Sequence, residues 1–333
     1  MNCLVTGAAG FIGAAVAARL LADGHRVWGV DNFTPFYDVA LKRHRWQGLA
    51  EHPDFTGIEA DITDARALRA AVAAATPDRV FHFAAQAGVR HSLDAPRDYL
   101  AANVNGTFEV LEAANRAGVA HLVLASTSSA YGAREDAPFR ETDPAARPVS
   151  LYAATKLAGE AIAHAQSHRY GLPVTALRFF TVYGERGRPD MAPHLFTESI
   201  LRGAPIRVFN HGDMARDFTY IDDLVEAVVR VAATPPQRAR PVSPRDSLSP
   251  VAPFRIVNIG QSRPVALLDF IHAIEAATGR KARPDMQPMQ PGDVRLTHAD
   301  PGLLHDLTGY VPTTSIREGI ARYVRWFRDY HGV

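Results

Sequence analysis

Residues 2 to 13, NCLVTGAAGFIG, run from a short apolar strand into glycines at 7, 10 and 13. A helical pattern follows through Leu21, and Gly24 supplies its stop signal. A strand that turns over glycines into a helix lets the backbone approach a pyrophosphate, which then rests on the amides of the helix N-terminus. The spacing is G-x-x-G-x-x-G rather than the commoner G-x-G-x-x-G. Three glycines in a loop mean little alone; the strand before and the helix after give them their meaning. Gly7, Gly10, Phe11, Ile12 and Gly13 are therefore assigned to a dinucleotide.

The next segments fit that assignment. A second strand, residues 26 to 31, ends in Asp31, where a carboxylate takes both ribose hydroxyls of an adenosine. An acid there repels a 2′-phosphate, so NAD is favoured over NADP. Asn32 follows it. A third strand over 55 to 62 places Asp61 and Ile62 where an adenine is read. A fourth, 79 to 85, ends in Phe83, Ala84 and Ala85; the two alanines, before Gln86, leave room for a cofactor across the sheet. His82 on it reads as a satisfied core histidine. A long helical pattern spans about 96 to 117, with Asn103 placed to bond the backbone of a neighbouring loop. The fifth strand, 121 to 127, runs into Ser126, Thr127, Ser128 and Ser129. Such a run is usually a turn, but in an open parallel sheet ligands bind beyond the carboxyl ends of the strands. Residues 173 to 180, with Phe179, make a sixth strand. The alternation predicts an α/β fold with a doubly wound parallel sheet.

Tyr152 and Lys156 stand four apart on a helical pattern, so both project from one face. Alone, the pair is most simply a surface tyrosine and a solvated lysine. Beside a hydride acceptor and a row of hydroxyls it becomes a proton-transfer device, the ammonium pulling the phenol's pKa down. Basic charge is almost all arginine; the only lysines are Lys42, Lys156 and Lys281. The net charge of +1 gives no electrostatic case for nucleic acid or membrane binding. The single cysteine, Cys3, reads as an inert core residue. With a strand starting at about Asn2 and no long apolar span, the chain is expected to be soluble and cytoplasmic.

TGAAGFIG, the acidic end of the second strand, STSSAYG and YAATK together resemble the extended short-chain dehydrogenase/reductase superfamily, whose members modify nucleotide sugars with a tightly held NAD. The resemblance covers nearly the whole chain. It implies a Rossmann-type sheet with a smaller C-terminal α/β substrate lobe. The cofactor domain would span 1–180, with 217–260 partly returning to it, and the UDP-sugar lobe would take 181–216 and 261–333. It also implies that Thr127 orients a sugar hydroxyl, Tyr152 acts as base and acid, and Lys156 binds the nicotinamide ribose, with Ser126 in the cofactor site. DNFTPFYDVALK, AAQAGVRHSL, LRFFTVYGERGRPDMA, DFTYIDDLVEA and MQPGDVRLTHAD look like segments of UDP-glucuronate 4-epimerases, except that Glu185 stands where many relatives carry proline. The reaction then expected is reversible conversion of UDP-glucuronate to UDP-galacturonate through a 4-keto sugar, in a homodimer joined through helices near 96–117 and 150–168. The same oxidation also serves a UDP-glucuronate decarboxylase forming UDP-xylose and a UDP-glucose 4-epimerase. A 4,6-dehydratase is disfavoured because Ser128 and Ser129 stand where those relatives place Asp-Glu.

Past residue 180 the pattern loosens. A pyrophosphate and a uronate both call for arginine, with its planar paired donors. Arg188 is the leading candidate near the substrate and Arg216 for the pyrophosphate, with Arg90 and Arg295 behind them. Thr181 and Asp293 are assigned to the same site, and Val208, in a short strand over 206 to 210, to the uridine. Thr127, Ser128, Ser129 and Thr181 are expected to hold the sugar carboxylate. Residues 234 to 253, rich in Pro, Ser and Arg, read as a mobile surface insertion, and residues 255 to 260 as a return to the sheet. The last helix opens on a capping box, Ser315 to Glu318, and carries the stripe Ile316, Ile320, Val324 and Phe327. The remaining rival, a non-catalytic NAD-binding sensor, is separated by one substitution: in an enzyme, Tyr152→Phe should lower turnover at least about a hundredfold, whereas a sensor shows no turnover in either form.

Overall fold

The first strand, β1 (Asn2–Thr6), lies inside a seven-stranded sheet of the computed structural model, which describes residues 1–134, 136–290 and 292–333. Pro291, in the quoted segment 289–300, lies outside the described residues. Side chains of β1 alternate between faces, as the two-residue period of a strand requires. Leu4 packs into one hydrophobic cluster, and Cys3 and Val5 into the other. The elements up to the sugar end of the sheet are α1 (Phe11–Ala22), β2 (Arg26–Asp31), α2 (Val39–Ala50), β3 (Phe55–Glu59), α3 (Ala65–Ala75), β4 (Arg79–His82), α4 (His91–Asp94), α5 (Pro96–Tyr99), α6 (Thr107–Ala117), β5 (His121–Thr127), α7 (Leu151–Tyr170) and β6 (Val174–Phe179). Then follow β7 (Thr181–Tyr183), α8 (Ala192–Arg202), β8 (Pro205–Val208), β9 (Ala215–Tyr220), α9 (Ile221–Ala232), β10 (Phe254–Ile259), β11 (Pro264–Ala266), α10 (Leu267–Thr278), β12 (Arg283–Met286), α11 (Gly302–Thr308) and α12 (Ile316–His331).

The large sheet has the order β10-β6-β5-β4-β1-β2-β3, parallel throughout. The order reverses beside β1, which opens a crevice beyond the strand ends. Helices α3, α6 and α7 supply buried residues to one face; α1, α8, α9, α10 and α12 supply the other. Two small sheets, β11-β9-β7 and β12-β8, stand apart from it. The turn after β1 needs its glycines. Gly7 has φ 73°, and a Cβ on it would lie 2.6 Å from the Ala84 nitrogen. A Cβ on Gly13 would strike the Gly7 carbonyl.

Several sequence expectations are corrected. β3 stops at Glu59 and β4 at His82, short of residues 62 and 85. The helical pattern over 96 to 117 is broken by a π-helical turn at Leu100–Gly106. Asn103 inside it donates to the Gln86 carbonyl (3.0 Å) and to Thr155 Oγ1 (3.0 Å), and accepts from the Gln86 amide (2.8 Å). The strand at 206 to 210 stops at Val208, because Asn210 and His211 turn into the left-handed region. The segment 234–253 is pinned. Asp246 forms a buried two-pronged ion pair with Arg255 at 2.8 and 3.0 Å, and Ser247 exchanges hydrogen bonds with the backbone of Ile256. Ser249 bonds His164 (2.8 Å), and the Val251 carbonyl meets His168 (2.8 Å).

Other readings hold. His82 is held by Thr6 (2.7 Å) and Thr107 (3.1 Å), and burial pushes its pKa down to about 3. Ser315 caps α12 by accepting from the Glu318 amide, and Ile320, Val324 and Phe327 are buried. The Glu318 carboxylate pairs with Arg322 instead of closing the box. No helix among the described residues is long and apolar enough to cross a membrane. Removing one partner of the buried pair in the insertion tests its anchoring: Asp246→Ala leaves Arg255 uncompensated and should cost about 3–5 kcal/mol in urea unfolding.

Candidate active site

At the cofactor end, Gly10 precedes α1 and no side chain caps the helix, so the amides of its first turn are left for an anion. Asp31, almost fully buried, accepts from the Ala9 amide (2.9 Å) and the Phe33 amide (2.8 Å). Each of its oxygens keeps a lone pair for another donor. Burial would raise the pKa of Asp61, but hydrogen bonds from Thr63 and Asn32 outweigh it and hold the group below the usual carboxylate range. Ile62 packs into the core against Gly106. Beyond β4, Phe83, Ala84, Ala85 and Gln86 run out from the sheet, with the Phe83 and Phe179 rings 6.3 Å apart.

At the sugar end, Thr127 closes β5 and accepts from the Ser129 amide (3.1 Å), which folds Ser128 and Ser129 into a 3₁₀ turn. The Ser150 hydroxyl caps α7 by accepting from the Ala153 amide (3.1 Å), so Tyr152 and Lys156 lie in its first turns. Ser128, Ser129, Thr181, Arg216 and Asp293 line one cleft with Val89, Ser150 and Thr297. Arg90 sits at its rim, 3.2 Å from Asp293 and over the Phe209 ring. Arg188 pairs with Asp190 (2.6 Å) above the Phe36 ring. Its charge acts on Tyr152, which places it at the sugar end. Arg216 donates to the carbonyls of Ala215 (3.0 Å) and Arg295 (3.2 Å). Arg295 itself reaches Asp213. Val208 is turned away: its side chain is in the core and its carbonyl accepts from the Gln287 amide (2.9 Å). Ser126 is also engaged, donating to Glu160 at 2.5 Å.

The electrostatics differ from the sequence expectation. Burial pushes the Tyr152 phenol above its usual pKa, opposed by hydrogen bonding with Thr127 and by the charge of Arg188. Lys156 is not what moves it. Burial brings the Lys156 ammonium down to about 8, with Glu160 acting in the other direction. The ammonium makes no hydrogen bond or ion pair among the described residues, so it is a donor set in wait.

Sequence reasoning missed three residues. Glu160 and Arg178 form a buried pair at 2.7 and 2.9 Å beneath Lys156. Arg45 is buried between two loops. Glu160 had a signal, since it continues the 152, 156 face by one more turn. The pKa of Lys156 gives a sign for stability. A folded-state value below the unfolded 10.5 means that burial costs stability while the ammonium must stay charged, below about pH 8, and that this cost is relieved as pH rises toward 10.5. The stability gained by the native chain over Lys156→Met in urea unfolding should therefore climb by about 1.4 kcal/mol per pH unit between pH 8 and 10.

The sequence pattern of the NAD dependent epimerase/dehydratase family matches residues 3–243. The chain is 49% identical over 330 residues to a probable UDP-glucuronate 4-epimerase of Rhizobium meliloti (strain 1021), covering 98% of this chain and 97% of the relative. It is 43% identical over 336 residues to UDP-glucuronate 4-epimerase 4 of Arabidopsis thaliana, covering 99% of this chain and 76% of that one. The crystal structure of UDP-glucuronic acid 4-epimerase from Bacillus cereus with UDP-glucuronic acid and NAD matches with a TM-score of 0.89 and 32% identity, over 99% of this chain and 100% of that one. With the family pattern matched over residues 3–243 and relatives alike along nearly the whole chain, the chain belongs to the NAD dependent epimerase/dehydratase family.

Proposed function

We propose that this protein is an NAD-dependent isomerase that interconverts UDP-glucuronate and UDP-galacturonate. The observation that carries the reading is the hydroxyl ledge of Ser128, Ser129 and Thr181, which shares one cleft with Arg216 and directly follows Thr127, the residue that ends β5 and hydrogen-bonds with Tyr152. The residues present fit the cofactor. An uncapped helix end suits a pyrophosphate, Asp31 has oxygens left for ribose hydroxyls, and Lys156 has donors to give. Gly7, Gly10, Phe11, Ile12 and Gly13 would seat the pyrophosphate, Asp31 and Asn32 the adenosine ribose, and Asp61 and Ile62 the adenine. Lys156 and Tyr152 would face the nicotinamide ribose, near Phe83, Ala84, Ala85 and Phe179. When bound, NAD supplies the acceptor that takes a hydride from a sugar carbon and hands it back.

The chain's own residues handle protons and position. Thr127 orients the C4 hydroxyl and Tyr152 removes its proton. The resulting 4-keto sugar turns, presents its other face, and receives the proton back from Tyr152. A neutral phenol, the state that burial favours, suits this second half. Proton transfer of this kind contributes roughly a hundred to ten-thousandfold; positioning must supply much of the rest. A 4-keto uronic acid is also a β-keto acid and loses carbon dioxide when its breaking bond aligns with the carbonyl π system. Thr127, Ser128, Ser129 and Thr181 hold the carboxylate out of that alignment. Arg188 and Arg90 attend the sugar end, and Arg216 the pyrophosphate.

We take residues 1–180, with 217–260 partly returning, as the cofactor domain and the remainder as the sugar-nucleotide lobe. We also take the protein to be a cytoplasmic homodimer. Leu100 in the π-helical turn and Phe108 at the start of α6, 48% and 40% exposed, support a partner near residues 96–117. Incubating the protein with UDP-glucuronate, without added reductant, should yield UDP-galacturonate by NMR; UDP-xylose would instead mark a decarboxylase. The combined change Thr127→Ala, Ser128→Ala, Ser129→Ala should release a pentose side product, and unaltered product without pentose would count against the carboxylate ledge.

A further inference from the structure

Arg45, on α2, is 2% exposed. Its donors are nearly all engaged. Nε and Nη2 donate to the Arg186 carbonyl at 3.0 and 2.5 Å. Nη2 also reaches the Gly187 carbonyl at 3.4 Å. Nη1 donates to the Ala9 carbonyl at 3.1 Å and to the Tyr37 hydroxyl at 2.7 Å. No carboxylate pairs with it among the described residues. Burying a guanidinium against carbonyls and one phenol is a poor way to gain stability alone. The geometry it enforces is more telling. Ala9 lies in the glycine turn, while Arg186 and Gly187 lie in the loop between β7 and α8. Arg186 has φ 59°, a left-handed conformation that side chains other than glycine seldom adopt. The carbonyl of this residue takes two of Arg45's bonds.

The same segment touches both loops again. Asp31 accepts from Ala9 and Phe33, and Lys42 donates to the Thr34 carbonyl at 2.7 Å. The Phe36 ring lies under the Arg188 guanidinium. Residues 31–45 therefore form a continuous bridge from the adenosine acid to the loop that presents Arg188, two residues beyond Arg186. We propose that Arg45 is a positioning residue that holds the Arg188 loop in register with the glycine turn, so that seating the cofactor also sets the capture of the sugar nucleotide. The kinetic part rests on the activity proposed above; the link between the loops does not.

Two readouts separate these parts. With NAD saturating, trypsin should cut the Arg186–Gly187 bond, whose Arg186 residue is exposed but whose Gly187 is buried, about tenfold faster in Arg45→Met than in the parent chain, because local opening frees the clamped carbonyl. Arg45→Lys, which keeps the charge but not the fork, should fall between them. In turnover of UDP-glucuronate, Arg45→Met should raise KM about tenfold while kcat stays within about threefold, and Arg45→Met/Arg188→Met should be no worse than Arg188→Met alone, since the two act through one loop. Equal cleavage rates, an unchanged KM, or effects that simply multiply in the double variant would overturn the proposal. If Arg45→Met does not fold, Arg45→Lys is read in the same cleavage and double-variant comparisons, against the same outcomes. A parent chain that leaves UDP-glucuronate untouched but shows the cleavage difference would overturn the assigned reaction and retain the clamp.

Discussion

A carboxylate beneath the catalytic face holds this site in shape. Glu160 lies two helical turns after Tyr152 and one after Lys156. It receives two bonds from Arg178 on β6 and one from Ser126 on β5. One group thereby fastens the helix that carries the phenol to the strand end that carries Thr127. Both partners are buried, so deleting either leaves an uncompensated charge, a loss typically of about 3–5 kcal/mol. Arg178 also lies against the face of Tyr131, 4.6 Å from its ring centre, and Tyr131 donates to Asn258 on the edge strand. The distance between Thr127 and Tyr152 is thus fixed by contacts that run through three neighbouring strands, not by the loops around the substrate.

That brace also explains the charge pattern above it. A lysine beside a tyrosine suggests a phenol with a lowered pKa, and two residues alone would behave that way. Inside the fold, both groups are taken out of water, and burial moves each toward its neutral form. Glu160 works against this for Lys156, while Arg178 neutralises much of Glu160. Thr127 and Arg188 work against it for Tyr152. The chain without its ligands therefore rests with a neutral phenol. Pairwise spacing in the sequence reveals who is near whom; it does not reveal how much water has been removed.

The parts of the fold that follow from local chemistry were legible. β2 and β5 begin and end where the apolar runs and turn residues place them. Asn103 bonds a loop backbone, as its place in the helical pattern suggests. The π turn around it was not legible, because it depends on Gln86 and Thr155, far away in sequence. Val208, assigned to the uridine, has its side chain in the core, and the sequence of so short a strand does not show which side chains face inward. Arg45, Glu160 and Arg178 escaped notice for a common reason: charged residues in helices and strands are mostly solvated. Only the fold shows which of them are inside. Ser128, Ser129, Thr181, Arg216 and Asp293 come from four separate stretches, and the sheet brings them to one cleft.

The pinned segment between α9 and β10 has a role at the margin of the sheet. β10 is an outermost strand, bonded to β6 on one side only. On its open side, Ser247 satisfies both the amide and the carbonyl of Ile256, and the Ser249 amide takes the Phe254 carbonyl. Unsatisfied strand margins recruit strands from other molecules. A stretch whose composition reads as slack chain therefore works as a stopper: along this margin it occupies the backbone groups that a stranger would otherwise extend.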